Sequence, residues 1–169
     1  ESDGNVMKTL LILRHAKSSW KDASVADHDR PLNGRGKSAA PRMGQLIHDE
    51  GIVPDRILSS TARRARTTAA LVAEACGFPN VIELNAELYH ADASSCLSVL
   101  RDSYYDDPCL MLVGHNPGLE ELLEVLTGRF ERLPTAALAQ LSVPIEHWYE
   151  IATFTSAVLV NLWRPRELD

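Results

Sequence analysis

The chain has 169 residues, a size that fits one domain and can bury a full core without disulfides or a structural metal. With 45% hydrophobic and 24% charged residues its composition is that of a globular protein, and no apolar run approaches the roughly 18 residues of a membrane span. The net charge of −6 argues against a general nucleic-acid binder, although basic residues crowd into the first part of the chain and leave room for a local cationic pocket.

Residues 1–6 are polar and lack the basic start and apolar run of a signal peptide, so they read as an expression-derived or disordered extension ahead of a single domain over 7–169. Thr9–Leu13 is short, continuous and apolar, the pattern of a fully buried strand, and the polar stretch Ala16–Leu32 is a loop. Asn33 or Gly34 opens a helix with Ala39, Met43, Leu46 and Ile47 on one face, and Gly51 stops it. Arg56–Ser59 is a second strand. Ala62–Cys76 carries Ala65, Ala69, Val72, Ala73 and Cys76 at helical spacing and ends at Gly77. Val81–Leu84 is a third strand, followed by a short helix over Asp92–Leu100 capped by Asp92 or Ser94. Cys109–Val113 is a fourth. Asn116 is then a good cap and Pro117 suits the first turn of a helix whose stripe is Leu119, Leu122, Leu123 and Leu126, ending at Gly128. Ala136–Val143 and Thr155–Leu162 are two closing strands, with Pro144–Ile151 a turn or helical connection between them. Strands alternating with helices predict an α/β domain, a mostly parallel central sheet with helices on both faces. The cysteines Cys76, Cys96 and Cys109 are isolated in apolar contexts and lack C-x-x-C spacing, which predicts buried thiols in a reducing cytoplasm.

Three strand exits carry basic groups. Arg14 and His15 end the first strand, Arg63, Arg64 and Arg66 open the helix after the second, and His115 with Asn116 follows the fourth. In such sheets ligands bind outside the carboxyl ends of the strands, so parallel strands would bring these groups to one spot. Helix starts offer unpaired N–H groups, arginine offers a planar fork for phosphate oxygens, and histidine offers a proton carrier, a donor or a nucleophile. Each corner alone has an ordinary explanation as surface, cap or solvated helix face; their common position at strand ends favours a site for a dense oxyanion. The segment Asn33–Ser38, NGRGKS, ends like a P-loop, but the earlier glycine would fall at Pro31 and the segment follows a polar loop, so it is not a nucleotide site.

Arg14-His15-Ala16, Ser59-Ser60-Thr61-Ala62-Arg63-Arg64-Ala65 with Thr68-Ala69, and Gly114-His115-Asn116-Pro117-Gly118 together resemble the histidine phosphatase superfamily, with its phosphoglycerate-mutase-like fold. The match in order and spacing runs from Thr9 to about Leu126, and the short length with Leu133–Ala139 (LPTAALA) is closer to the compact SixA-type phosphohistidine phosphatases. The resemblance implies His15 as the nucleophile that is phosphorylated and Arg14, Arg64 and His115 as the rest of the phosphate pocket. Arg64 is chosen over Arg63 because Ala65 follows it. Ser18 and Asn116 join as phosphate-binding candidates. Departures are Ala16 where glycine is common, Thr61 where proline is frequent, and Lys17 where an acid is frequent; Lys17 is either a rim cation or a solvent-facing one.

The implied chemistry is attack of neutral His15 on phosphorus with the cations holding the oxygens, then hydrolysis of the phosphohistidine. Fixed positive charge can do the work of a magnesium ion, and His28, His48, His90 and His147 lack ligand spacing, so no metal and no cofactor are expected. Ester substrates need a general acid. The resemblance implies a carboxylate after the third strand in this role; the candidates in that stretch are Glu83 and Glu87, with Asp92 further along, and Glu87, just past the strand, is best placed. Phosphohistidine needs that acid less. With no long insertion to build a lid, the pocket should be open enough for a phosphorylated protein side chain or a small phosphate, with neither nucleic acid nor membrane as partner. The alternatives are a small-molecule phosphomonoesterase or mutase on the same scaffold, and a non-catalytic phosphoprotein-binding module.

Overall fold

Side chains alternate across the central strands, and that alternation sets the layering. In the computed structural model, which describes residues 6–103, 106–153 and 155–168, strand β1 (Lys8–Arg14) sends Leu10 and Ile12 to one face of the sheet and Leu11 and Leu13 to the other. All four are fully buried. Strands β2 (Arg56–Ser59) and β4 (Cys109–Gly114) repeat the parity: Leu58, Leu110 and Leu112 join the first core, and Ile57, Met111 and Val113 the second. A strand buried on both faces must read as an unbroken apolar run, as these do.

Helices α1 (Gly34–Asp49) and α2 (Arg63–Cys76) pack on one face, and α3 (Ala93–Arg101) and α4 (Gly118–Thr127) on the other. With β3 (Glu83–Leu84), β5 (Leu138–Val143) and β6 (Val158–Trp163) the strand order is β3-β2-β4-β1-β5-β6. The first four are mutually parallel, β5 pairs antiparallel with β1, and β6 antiparallel with β5. The molecule is a single α/β domain with a mixed, mostly parallel sheet, as its alternating pattern predicts. Cys76 and Cys96 are buried and Cys109 half-buried, all free thiols; burial pushes Cys96 and Cys109 up to about 12.

Several boundaries differ from the sequence expectation. β3 shrinks to two residues because only Leu58 and Ser59 are opposite it, and Val81 is 85% exposed. β5 begins at Leu138 because Ala136 takes a φ of 62° and its N–H donates to the His15 carbonyl instead of a neighbouring strand. β6 begins at Val158 because Thr155 closes a turn on Ala152 and Ser156 has a φ of 58°. Asn116 is not the cap of α4: Pro117, after a cis peptide bond, stands at the cap position, and the Asn116 amide donates to the Leu133 carbonyl at 2.7 Å.

Candidate active site

The ends of β1, β2 and β4 are level. Leu13 pairs with Val113 and Ser59 with Val113, the His15 N–H donates to the Gly114 carbonyl and the Ser60 N–H to the Val113 carbonyl. The residue that leaves each strand therefore enters the same space. On the far side, the Arg14 N–H is held by the Ala137 carbonyl, and the His15 carbonyl accepts from Ala136. The backbone at Arg14 and His15 is thus fixed from both neighbouring strands.

A cavity of about 540 Å³ opens there, and Arg14, His15, Ser18, Arg64, His115 and Asn116 all line it. The two imidazoles lie with ring centroids 5.1 Å apart. His15 Nδ1 is 2.7 Å from the Ala16 carbonyl oxygen, which can only accept, so Nδ1 carries the proton and Nε2 keeps the lone pair. Ala16 keeps an ordinary backbone conformation, its N–H donating to Thr68 Oγ1 at 2.9 Å. Burial, and then the guanidinium groups of Arg14, Arg64 and Arg30, lower His15 to about 4. Burial, with His15 and Arg64 adding to it, lowers His115 to about 3. Both rings are neutral near pH 7. Ser60 Oγ accepts from the Ala62 N–H and lies 2.7 Å from His115 Nε2. Assigning the hydroxyl proton to Nε2 leaves the His115 proton on Nδ1.

The arginines are held in place by Asp27, Ser18 and the Leu133 carbonyl, of which Asp27 lies outside the predicted motifs. Arg64 donates to the Asp27 carbonyl at 2.7 Å and to its carboxylate at 3.1 Å. Arg30 donates to Asp27 and to Ser18 Oγ, and lies over the Trp20 ring at 3.6 Å. Arg14 donates to the Leu133 carbonyl. The Tyr89 hydroxyl donates to Asp27 and, with Arg64 and Arg30, holds that carboxyl well below the usual range. These bonds leave five buried side-chain atoms without partners among the described residues: Nε of Arg14, Arg30 and Arg64, Nδ1 of His115 and Oδ1 of Asn116. All five belong to residues of this one cavity, and four are nitrogens available to donate. Leaving buried donors unmade costs about 1–3 kcal/mol each, so their concentration here marks a place prepared for an oxygen-rich anion.

Glu87 is not brought to this cavity. It is exposed on a 3-10 turn over Ala86–Leu88, where its N–H is bound by the Asn85 side chain. The acidic residues on the wall are Asp27 and Asp92, and Asp92 caps α3 through Ser95, which lowers its carboxyl too. Asp27, Arg30 and His90 line the cavity without having been singled out as site residues. Asp27 carries no motif of its own, whereas Arg30, with Pro31 and Leu32, is expected from the sequence to pack beside the pocket, and it lines the cavity. His90 sits at a φ of 58° with its ring 3.9 Å from that of Tyr89. Lys17 reaches the rim and is exposed.

Two glycines let the wall close. A Cβ on Gly36 would collide with the Lys17 carbonyl, and one on Gly118 with the Ala91 carbonyl. The first brings α1 against the loop after His15; the second brings α4 against the loop carrying His90 and Asp92.

The family model described as histidine phosphatase superfamily (branch 1) matches residues 10–98. An uncharacterised chloroplastic protein of Arabidopsis thaliana is 33% identical over 155 residues, covering 86% of this chain and 71% of its own. Among solved structures, a candidate phosphohistidine phosphatase SixA of Agrobacterium tumefaciens superposes with a TM-score of 0.78 at 30% identity, covering 94% of this chain and 98% of that one. The protein histidine phosphatase SixA complexed with tungstate has a TM-score of 0.82 at 20% identity, over 95% and 99% of the two chains, a likeness of fold.

Proposed function

Because the chain belongs to the histidine phosphatase superfamily, we propose that it is a phosphatase acting through a phosphohistidine at His15, with phosphohistidine or another exposed phosphoryl group of a protein as substrate. The observation that carries this is the convergence of unpartnered buried donors on the cavity that holds His15.

His15 Nε2 attacks phosphorus in line as the bond to the leaving group breaks, and a P–N bond forms. Arg14, Arg64, Arg30 and His115 bind the equatorial oxygens, supplying charge and hydrogen bonds already in position. Water then attacks the phosphohistidine, the P–N bond breaks, phosphate leaves and neutral His15 returns. The Ala16 carbonyl holds the His15 proton on Nδ1 throughout, so Nε2 is the reacting atom in both steps.

The leaving group needs a proton. Asp27 and Asp92 are both held ionised, the first by Tyr89 and two arginines and the second by its capping bond. A phosphoramidate, whose leaving nitrogen is readily protonated, suits a wall of that kind. His90 favours a second reading, turnover of small phosphate esters, since its imidazole is on the wall with no hydrogen bond of its own among the described residues. Specificity constants for a phosphohistidine protein and for small phosphate esters test the proposal. A larger constant for the phosphohistidine protein supports it; a preference for the esters favours the second reading.

The described residues contain no helix long and apolar enough to cross a membrane. A phosphorylated protein meeting the cavity from solution is consistent with that and with the cavity's position at the strand ends.

A further inference from the structure

A second cavity of about 740 Å³ adjoins the first, with Lys17 and Thr135 lining both. Its wall carries Lys17, Arg35, Arg42, Arg164 and Arg166 and, among the described residues, one carboxylate, Glu167. Glu167 is itself within 3.6 Å of Arg164, which also pairs with Glu131 at 3.1 Å. Lys17, Arg35 and Arg166 have no carboxylate partner among the described residues. A chain of net charge −6 thus gathers cations in one groove beside the candidate catalytic cavity. Like charges in one concave surface repel each other and focus a positive potential into it. The start of α1 is not the source of this field, because Asn33 already takes the N–H groups of Gly36 and Lys37. The P-loop-like segment contributes Arg35 and Ser38 to the groove wall, giving a role to a motif that nucleotide binding does not explain.

We propose that this groove docks acidic side chains that flank the phosphorylated residue of a protein substrate, which rests on the phosphatase reading above. Lys17 links the two cavities, so a chain whose phosphoryl group enters the first lays its neighbouring residues along the second. A protein segment fits better than a nucleic acid, because among the described residues no aromatic side chain lines the groove to stack on bases. Asp and Glu carboxylates match arginine forks bidentately, which gives the groove a preference that a diffuse field would not.

The test compares two phosphohistidine peptides, one flanked by Asp and Glu and one by Ser, together with p-nitrophenyl phosphate. The wild type is compared with the double variant Arg35→Glu, Arg166→Glu. Both positions are exposed, and Glu in the first turn of α1 suits the helix dipole, so thermal melting should show the variant folded. The acidic peptide should exceed the neutral one in kcat/KM by roughly tenfold or more, carried by KM. That advantage should shrink in about 0.5 M salt, as screened charges require. In the variant the acidic peptide should lose that advantage, both over the Ser peptide and relative to p-nitrophenyl phosphate. Equal constants for the two peptides in the wild type, or an advantage that survives charge reversal, would overturn the proposal. If none of the three substrates is turned over, the phosphatase reading fails and the groove is judged by binding. The unphosphorylated acidic peptide should then bind the wild type in fluorescence anisotropy and not the variant. No binding, or tighter binding of single-stranded DNA of equal charge, would overturn the groove as a protein-docking site.

Discussion

At the scale of residues, the cavity stands out by buried donors left without partners among the described residues. Arg30 and Arg64 each commit both terminal nitrogens to Ser18 or Asp27, Arg14 commits one to the Leu133 carbonyl, and all three keep Nε unpaired among the described residues, a geometry that costs stability until an anion arrives. Replacing Arg64 by Ala should therefore lower kcat about 10²–10³-fold, about 2.7–4 kcal/mol, in steady-state assays on a folded variant. Asp27→Asn removes the charge that pins both Arg64 and Arg30, and should lower kcat/KM roughly tenfold, with Asp27→Glu restoring part of it. His15 and His115 give the pH dependence its sign. Both have folded values below the ordinary 6.5, so their contribution to stability is complete above pH 6.5 and is lost as pH falls through about 4 and about 3. Thermal melting should show a lower midpoint at about pH 4.5 than at about pH 7.5, and neither ring should titrate between those values by NMR in phosphate-free buffer. A ring that titrates near 6.5 would contradict the neutral pair.

At the scale of elements, the helices that flank the cavity are placed by local chemistry that the sequence shows plainly. Asn33 accepts from Gly36 and Asp92 from Ser95, as their positions before an apolar stripe predict, and Gly77 and Gly128 end their helices at positive φ. Asn33→Ala should cost about 1 kcal/mol in chemical denaturation. Gly118→Ala should cost more and should also lower activity, because its Cβ would push the loop bearing His90 away from α4. Legibility fails where tertiary bonds outrank local ones. The Asn-Pro pair is good capping chemistry, yet the Asn116 amide donates to the distant Leu133 carbonyl instead. Ala136 sits in an apolar run with strand character, yet its N–H is needed by His15. Glu87 lies in the right loop by sequence and on the exposed surface of its turn in space, a distinction that three positions of spacing cannot carry. Asp27 is the opposite case, a polar loop residue with no motif of its own that binds two arginines and Tyr89.

At the scale of the whole molecule, the parallel order β2-β4-β1 turns three separated sequence motifs into one cavity. The order of the motifs along the chain was readable, and so was their common place at strand ends; their adjacency depends on β4 lying between β1 and β2, which no local pattern states. In the proposed mechanism fixed guanidinium groups on that wall take the part that a divalent ion plays in other phosphoryl-transfer sites. Turnover should therefore be unchanged by EDTA, and activity lost to chelation and restored by magnesium would contradict this account. The most direct test is chemical. Rapid quenching of the enzyme with a ³²P-labelled phosphohistidine protein, followed by peptide mapping, should find an acid-labile, base-stable phosphoryl group on His15 and none in His15→Ala. Turnover without label on His15, or label on another residue, would contradict the central claim.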